Sequence, residues 1–91
     1  MMTKKLEIVF KGISWNDYLY WQKQDKKTLK RINKLINSTI RQPFDGLGDP
    51  EKLKGQLSGY WSRRINQSDR MVYAVYDDRI EIIQLRFHYS K

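Results

Sequence analysis

Between Tyr60 and Tyr89 three runs rich in β-branched and aromatic residues follow one another: Tyr60–Asn66, Arg70–Tyr76 and Ile80–Tyr89. Short polar breaks separate them, Gln67-Ser68-Asp69 and Asp77-Asp78-Arg79. Runs of this length and composition, bounded by turn residues, read as strands. Side chains alternate across a strand, so a slip of one residue exchanges the two faces. With Arg64 opposite Arg70 and Arg70 opposite Arg86, one face collects Trp61, Ile65, Met71, Tyr73, Val75, Ile83, Leu85 and Phe87. The other collects Ser62, Arg64, Arg70, Gln84, Arg86 and His88. The alternative register would interleave arginines with isoleucines on both faces, and burying an unpaired guanidinium is costly. The sheet is therefore expected to have one packing face, to which Arg63 falls, and one face that gathers arginines around the only histidine.

The upstream half supplies what covers the packing face. Leu6, Ile8 and Phe10 alternate with Glu7, Val9 and Lys11 as a half-buried strand ending at Gly12. Ser14 stands at an N-cap position with Asp17 three residues on, and the helix that follows carries Trp15, Tyr18, Leu19 and Gln22 on one face. Tyr20 and Trp21 lie off that stripe, at the helix edge or as a surface for a partner. Asp25 caps a second helix over Lys26–Arg41, with Leu29, Ile32, Ile36 and Ile40 at helical spacing and Leu35 beside them. Its opposite face carries Lys26, Lys27, Lys30, Arg31 and Lys34, a solvated cationic surface. Pro43 ends this helix, because proline disfavours helical geometry at the residue before it. The short connection makes the two helices an antiparallel hairpin. A glycine- and proline-rich loop follows, PFDGLGDPEKLKG, which Phe44, Leu47 and Leu53 are expected to pin to the body. The expected fold is α+β in the order βααβββ, one domain over residues 1–91, with the helix hairpin on one face of a small, mainly antiparallel sheet.

Charge narrows the function. Eighteen Lys and Arg against ten Asp and Glu leave +8, which favours encounter with polyanions. Cysteine is absent and histidine occurs once, so neither a disulfide framework nor a thiolate or His-cluster metal site is expected, and no cofactor. No apolar run reaches the ~18–20 residues needed to span a bilayer, and the N-terminal apolar run is too short for a signal peptide. A cytoplasmic protein with no membrane association is the expectation.

Arginine forks suit phosphate oxygens, and a histidine beside them can give or take a proton near neutral pH. Metal-free RNA cleavage uses this kit: a base takes the 2′-hydroxyl proton, cations stabilise the phosphorane, and an acid protonates the departing 5′-oxygen. Glu51, with Lys52 and Lys54 close behind, lies in the loop feeding the first of the three strands and is the candidate base. Spacing alone leaves other readings open. The basic face can bind nucleic acid without cutting it, the histidine can be structural, and Glu51 can simply pair with Lys54.

Five blocks of the chain resemble the YoeB toxins of the RelE-like superfamily: WNDYLYWQ (Trp15–Gln22), PFDGLGDPEKLK (Pro43–Lys54), LSGYWSRRI (Leu57–Ile65), RMVYAVYDD (Arg70–Asp78) and RFHY (Arg86–Tyr89). The resemblance implies a ribosome-dependent mRNA interferase that cleaves messages in the 70S A site, among rRNA contacts. It also implies inhibition by a YefM-type antitoxin, operator DNA reached through the antitoxin complex, and a homodimer. By the same resemblance Glu51 is the general base, His88 the general acid and Arg70 the transition-state clamp. Lys54 and Arg64 would hold phosphate and Tyr89 would stack on a base or orient the leaving group; Arg86 joins them as an RNA-binding cation of the same face. Ser90 and Lys91 follow Tyr89 here, a departure from the family pattern, in which the tyrosine is last.

Overall fold

The computed structural model describes residues 6–87. Strand β1 (Glu7–Phe10) leads into helix α1 (Ser14–Gln24) and helix α2 (Lys26–Arg41). A two-residue strand β2 (Glu51–Lys52), a 3-10 turn (Gly55–Leu57) and strands β3 (Trp61–Arg64), β4 (Arg70–Val75) and β5 (Arg79–Gln84) complete the chain. The five strands form one mixed sheet in the order β1-β5-β4-β3-β2. β1 runs parallel to β5, and every other pairing is antiparallel. The expected α+β architecture stands, with one strand added: the residues around Glu51 belong to the sheet rather than to a loop.

Helix α2 has the expected bounds. The Asp25 carboxylate accepts from the Lys27 and Thr28 amides and from the Thr28 hydroxyl. Those bonds, the Thr28 side chain first, hold its pKa below the ordinary 3.8. Ile32 and Leu35 are fully buried, with Leu29 and Ile36 packed beside them. Against these residues lie Ile65, Met71, Tyr73, Ile80, Ile82 and Leu85 from the sheet and Trp21 from α1.

Helix α1 sits differently from expectation. Ile13, not Ser14, is its N-cap, and no side chain caps it. The buried positions are Ser14, Asp17 and Trp21, whereas Trp15 and Leu19 are exposed. Trp15 instead stacks on Tyr18 at 5.7 Å, and both meet Phe10 edge-on at the end of β1. Two polar groups fix the helix to the sheet. Asp17 Oδ2 accepts from the Leu85 amide at 2.9 Å, and Trp21 Nε1 donates to the Leu85 carbonyl at 2.8 Å. Leu85 has just left β5, so α1 satisfies both backbone groups that a further ladder partner would have satisfied. Asp17→Ala is expected to destabilise the fold by about 1–3 kcal/mol, the cost of a buried N–H left unpaired, read from the urea midpoint.

The register confirms Arg64 opposite Arg70. It departs from expectation in β5, where an irregularity between Val72 and Tyr73 shifts the pairing from Val72↔Gln84 to Tyr73↔Ile82. Such a bulge gives one strand an extra residue and reverses its face alternation. Ile80 and Ile82 therefore enter the core in place of Ile83. β5 also stops at Gln84 instead of running on to Tyr89, and Phe87, expected in the core, is exposed with φ +64°.

Candidate active site

The face of the sheet turned away from the helices is built row by row. Glu51 pairs with Ser62, Ser62 with Val72, and Val72 with Gln84; one step along, Arg64 pairs with Arg70. Residues directly paired in a ladder project to the same side, and Glu51, Ser62 and Arg64 share it by alternation. Opposed Cβ atoms in such pairs lie about 5 Å apart and diagonal ones about 7–8 Å apart. Glu51, Arg64 and Arg70 thus form one cluster over a floor of buried Ser62 and Val72. Glu51 and Arg64 are exposed and Arg70 half-buried.

Arg70 is pre-set by the turn that precedes it. Asn66 Oδ1 accepts from the Ser68 and Asp69 amides, an Asx turn that tightens residues 66–69. This brings the carbonyls of Asn66, Gln67 and Asp69 within 2.8–3.2 Å of Arg70 Nη1. One guanidinium nitrogen is anchored, while Nε and Nη2 have no partner among the described residues. A cation held in this way keeps a fork ready for an anion without losing much rotamer freedom on binding.

The same turn holds the segment that leaves β5. Asp69 Oδ1 accepts from the Phe87 amide at 2.6 Å, and the Arg70 amide donates to the Phe87 carbonyl at 3.1 Å. Gln84 Nε2 donates to the carbonyls of Arg86 and Phe87. The backbone is thereby tied beside Arg70 immediately before His88 in the sequence. His88 and Tyr89 themselves lie outside the described residues. Asp69 and Gln84 were not among the sequence candidates; the position of Asp69 directly before Arg70 in a polar break was the available signal.

Two other expected residues are placed apart from this cluster. The Arg86 guanidinium lies 3.5 Å from the Tyr20 ring centroid on α1 and 4.5 Å from that of Phe87. It has left the arginine face because β5 ends and bends before it. Lys54 is exposed where the chain leaves β2 for the 3-10 turn, at the margin of the face.

Arg63 does the opposite of its neighbour Arg64. It is fully buried, and its donors reach Tyr73 Oη, Ser38 Oγ and the carbonyls of Leu47, Gln42 and Asp45 at 2.6–3.1 Å. Burial pushes the Tyr73 phenol pKa up, opposed by the hydrogen bond and the charge of Arg63. A buried guanidinium is tolerated here because each of its N–H groups is matched. Among the described residues, no group of metal-ligating side chains stands near this face or elsewhere.

A family model described as "YoeB-like toxin of bacterial type II toxin-antitoxin system" matches residues 10–89. The chain belongs to the YoeB toxin family. It is 56% identical over 86 residues to toxin YoeB of Synechocystis, covering 94% of this chain and 100% of that one. Toxin YoeB of Escherichia coli is 52% identical, covering 92% of this chain and 100% of its own. Among solved structures, a YoeB/ParE toxin from Agrobacterium tumefaciens is 48% identical with a TM-score of 0.88, covering 92% of this chain and 100% of that chain. YoeB from Staphylococcus aureus, 46% identical, has been solved as a dimer (TM-score 0.87) and within a heterotetrameric YoeB-YefM complex (0.85), each covering 93% of this chain and 99% of its own. The RelE/YoeB fold inferred from the sequence blocks is therefore shown, and this YoeB-family chain is the toxin component of a toxin–antitoxin system.

Proposed function

We infer that this chain is a ribosome-dependent mRNA interferase. The observation that carries the reading is one exposed strip of sheet on which a carboxylate, Glu51, faces a pair of arginines, Arg64 and Arg70, with the segment entering His88 lashed to the same turn. In this reading Glu51 takes the proton of the 2′-hydroxyl, and the freed oxygen attacks the adjacent phosphorus. The fork of Arg70 bears the charge that builds on the phosphorane oxygens. The P–O5′ bond breaks as His88 protonates the leaving oxygen, and the upstream fragment ends in a 2′,3′-cyclic phosphate. Arg64 and Lys54 hold the neighbouring phosphates, and Tyr89 stacks on a base or orients the leaving group. Arg86, engaged by Tyr20 and Phe87, adds a cation at the margin.

The partners follow from relatives. YoeB of S. aureus forms a heterotetrameric complex with YefM and, by itself, a dimer. By extension a YefM-type antitoxin would bind and silence this chain, operator DNA would be reached through that complex, and a second copy would form a homodimer. No helix among the described residues is long and apolar enough to cross a membrane. Message translated by purified ribosomes, mapped by primer extension, tests the assignment. Arg70→Ala is expected to reduce new 5′ ends by about 10²–10³-fold, as for loss of a transition-state donor. Undiminished cleavage by Arg70→Ala or His88→Ala, with folding intact, would overturn it.

A further inference from the structure

The loop that delivers Glu51 is not held by its apolar side chains. Phe44 leans on Trp61 at 4.9 Å yet is 54% exposed, and Leu47 is 39% exposed, so of the three residues expected to pin the loop only Leu53 is buried. The loop is instead wound around the Arg63 guanidinium, which binds the carbonyls of Gln42, Asp45 and Leu47. Tyr73 Oη accepts from Arg63 Nε and donates to the Pro43 carbonyl at 2.8 Å. Ser38 Oγ accepts from both Arg63 Nη1 and the Leu47 amide. The winding is close. A Cβ on Gly46 would stand 2.7 Å from Ser38 Oγ, and one on Gly48 would stand 2.6 Å from Leu35 Cδ2 and 3.1 Å from Arg63 Cβ. The last anchor is the Gly48 carbonyl, which accepts from the Arg64 amide at 2.7 Å. Only Asp49 and Pro50 separate it from Glu51, whose ladder partner, Ser62, is the residue before Arg63.

We propose that Arg63, with Tyr73 as its brace, is a positioning residue that sets the approach of Glu51 to the 2′-hydroxyl. The proposal rests on the reading of Glu51 as the base. Arg63 and Arg64 thus divide one task between the two faces of β3: Arg64 is presented to substrate, while Arg63 reaches through the packing side to hold the loop that brings the base. A guanidinium suits this because its donors form a rigid fan that fixes several carbonyls at once, which a lysine cannot do. General-base efficiency depends steeply on placement, and a shift of about 1 Å can cost as much as 10²-fold.

The test is a double-mutant cycle of Tyr73→Phe and Glu51→Gln, read as single-turnover cleavage of ribosome-bound message, with toxin–ribosome affinity measured separately. Tyr73→Phe keeps the ring in the core and removes the brace from both Arg63 and Pro43. It is expected to slow cleavage by about tenfold without weakening ribosome binding, and to cost nothing further in the Glu51→Gln background. Hydrogen exchange of the Leu47 and Leu53 amides is expected to quicken in Tyr73→Phe, while exchange in β4 and β5 stays as in the parent. An equal loss in both backgrounds, an unchanged rate for Tyr73→Phe, or unaltered exchange at Leu47 and Leu53 would overturn the positioning role and leave Glu51 as base. Glu51→Gln cleaving like the parent chain would instead remove the base assignment, and the positioning role with it.

Discussion

Glu51→Gln is expected to lower cleavage of ribosome-bound message by about 10²–10⁴-fold, the range that a positioned acid or base contributes, while the urea midpoint stays where it was. The unchanged midpoint follows from packing. Glu51 is exposed on a two-residue edge strand, and its side chain has no hydrogen bond or ion pair among the described residues. Glutamine has the same shape and leaves the pairing with Ser62 intact, since that pairing is made by the backbone. What is lost is the capacity to accept a proton and hold it. A loss of activity accompanied by an equally lowered midpoint would mean that Glu51 is structural.

Arg63→Ala is expected to show the reverse pattern, failing in stability before it fails in chemistry. Each buried acceptor left without its donor costs about 1–3 kcal/mol. Here the carbonyls of Gln42, Asp45 and Leu47 lose their donor at one stroke. A domain of this size has roughly 5–14 kcal/mol of stability in total, so the variant should melt at markedly lower urea or accumulate unfolded. Arg64→Ala, one residue along and exposed, should unfold like the parent chain. A parental midpoint for Arg63→Ala would show that the loop is held by something other than this guanidinium. Adjacent arginines with opposite phenotypes are the signature expected of a strand whose faces carry different duties.

Helix α2 was legible because its punctuation is local. Asp25 supplies acceptors for the first turn, Pro43 stops the last, and the stripe from Leu29 to Ile36 faces one way. Helix α1 was legible as a helix but not in its facing, because two of its three buried residues, Ser14 and Asp17, are polar. Asp17 and Trp21 are inside to serve the backbone of Leu85, a partner 68 and 64 residues away that leaves no mark on local periodicity. Of the stripe Trp15, Tyr18 and Leu19, only Tyr18 packs against the core, and it forms an aromatic cluster with Trp15 and Phe10. The bulge at Val72/Tyr73 is equally silent in sequence, and it cost the expected place of Ile83, while the early end of β5 at Gln84 cost that of Phe87. Strand β2 is too short for alternation to reveal, and it is defined by its pairing with β3. The chemical types of the candidate site and the facing of Arg64 and Arg70 could be read from the chain. The strand under Glu51, the carbonyl nest that sets Arg70 and the release of Arg86 toward Tyr20 required the fold.

The end group left when ribosomes carrying a defined message meet the purified chain is the most direct test of acid–base cleavage by this site. The predicted result is a cut within the A-site codon, an upstream fragment ending in a 2′,3′-cyclic phosphate or its 3′-phosphate product, and loss of that fragment with Glu51→Gln. Intact message, or the same fragment at the same rate from Glu51→Gln, would contradict it.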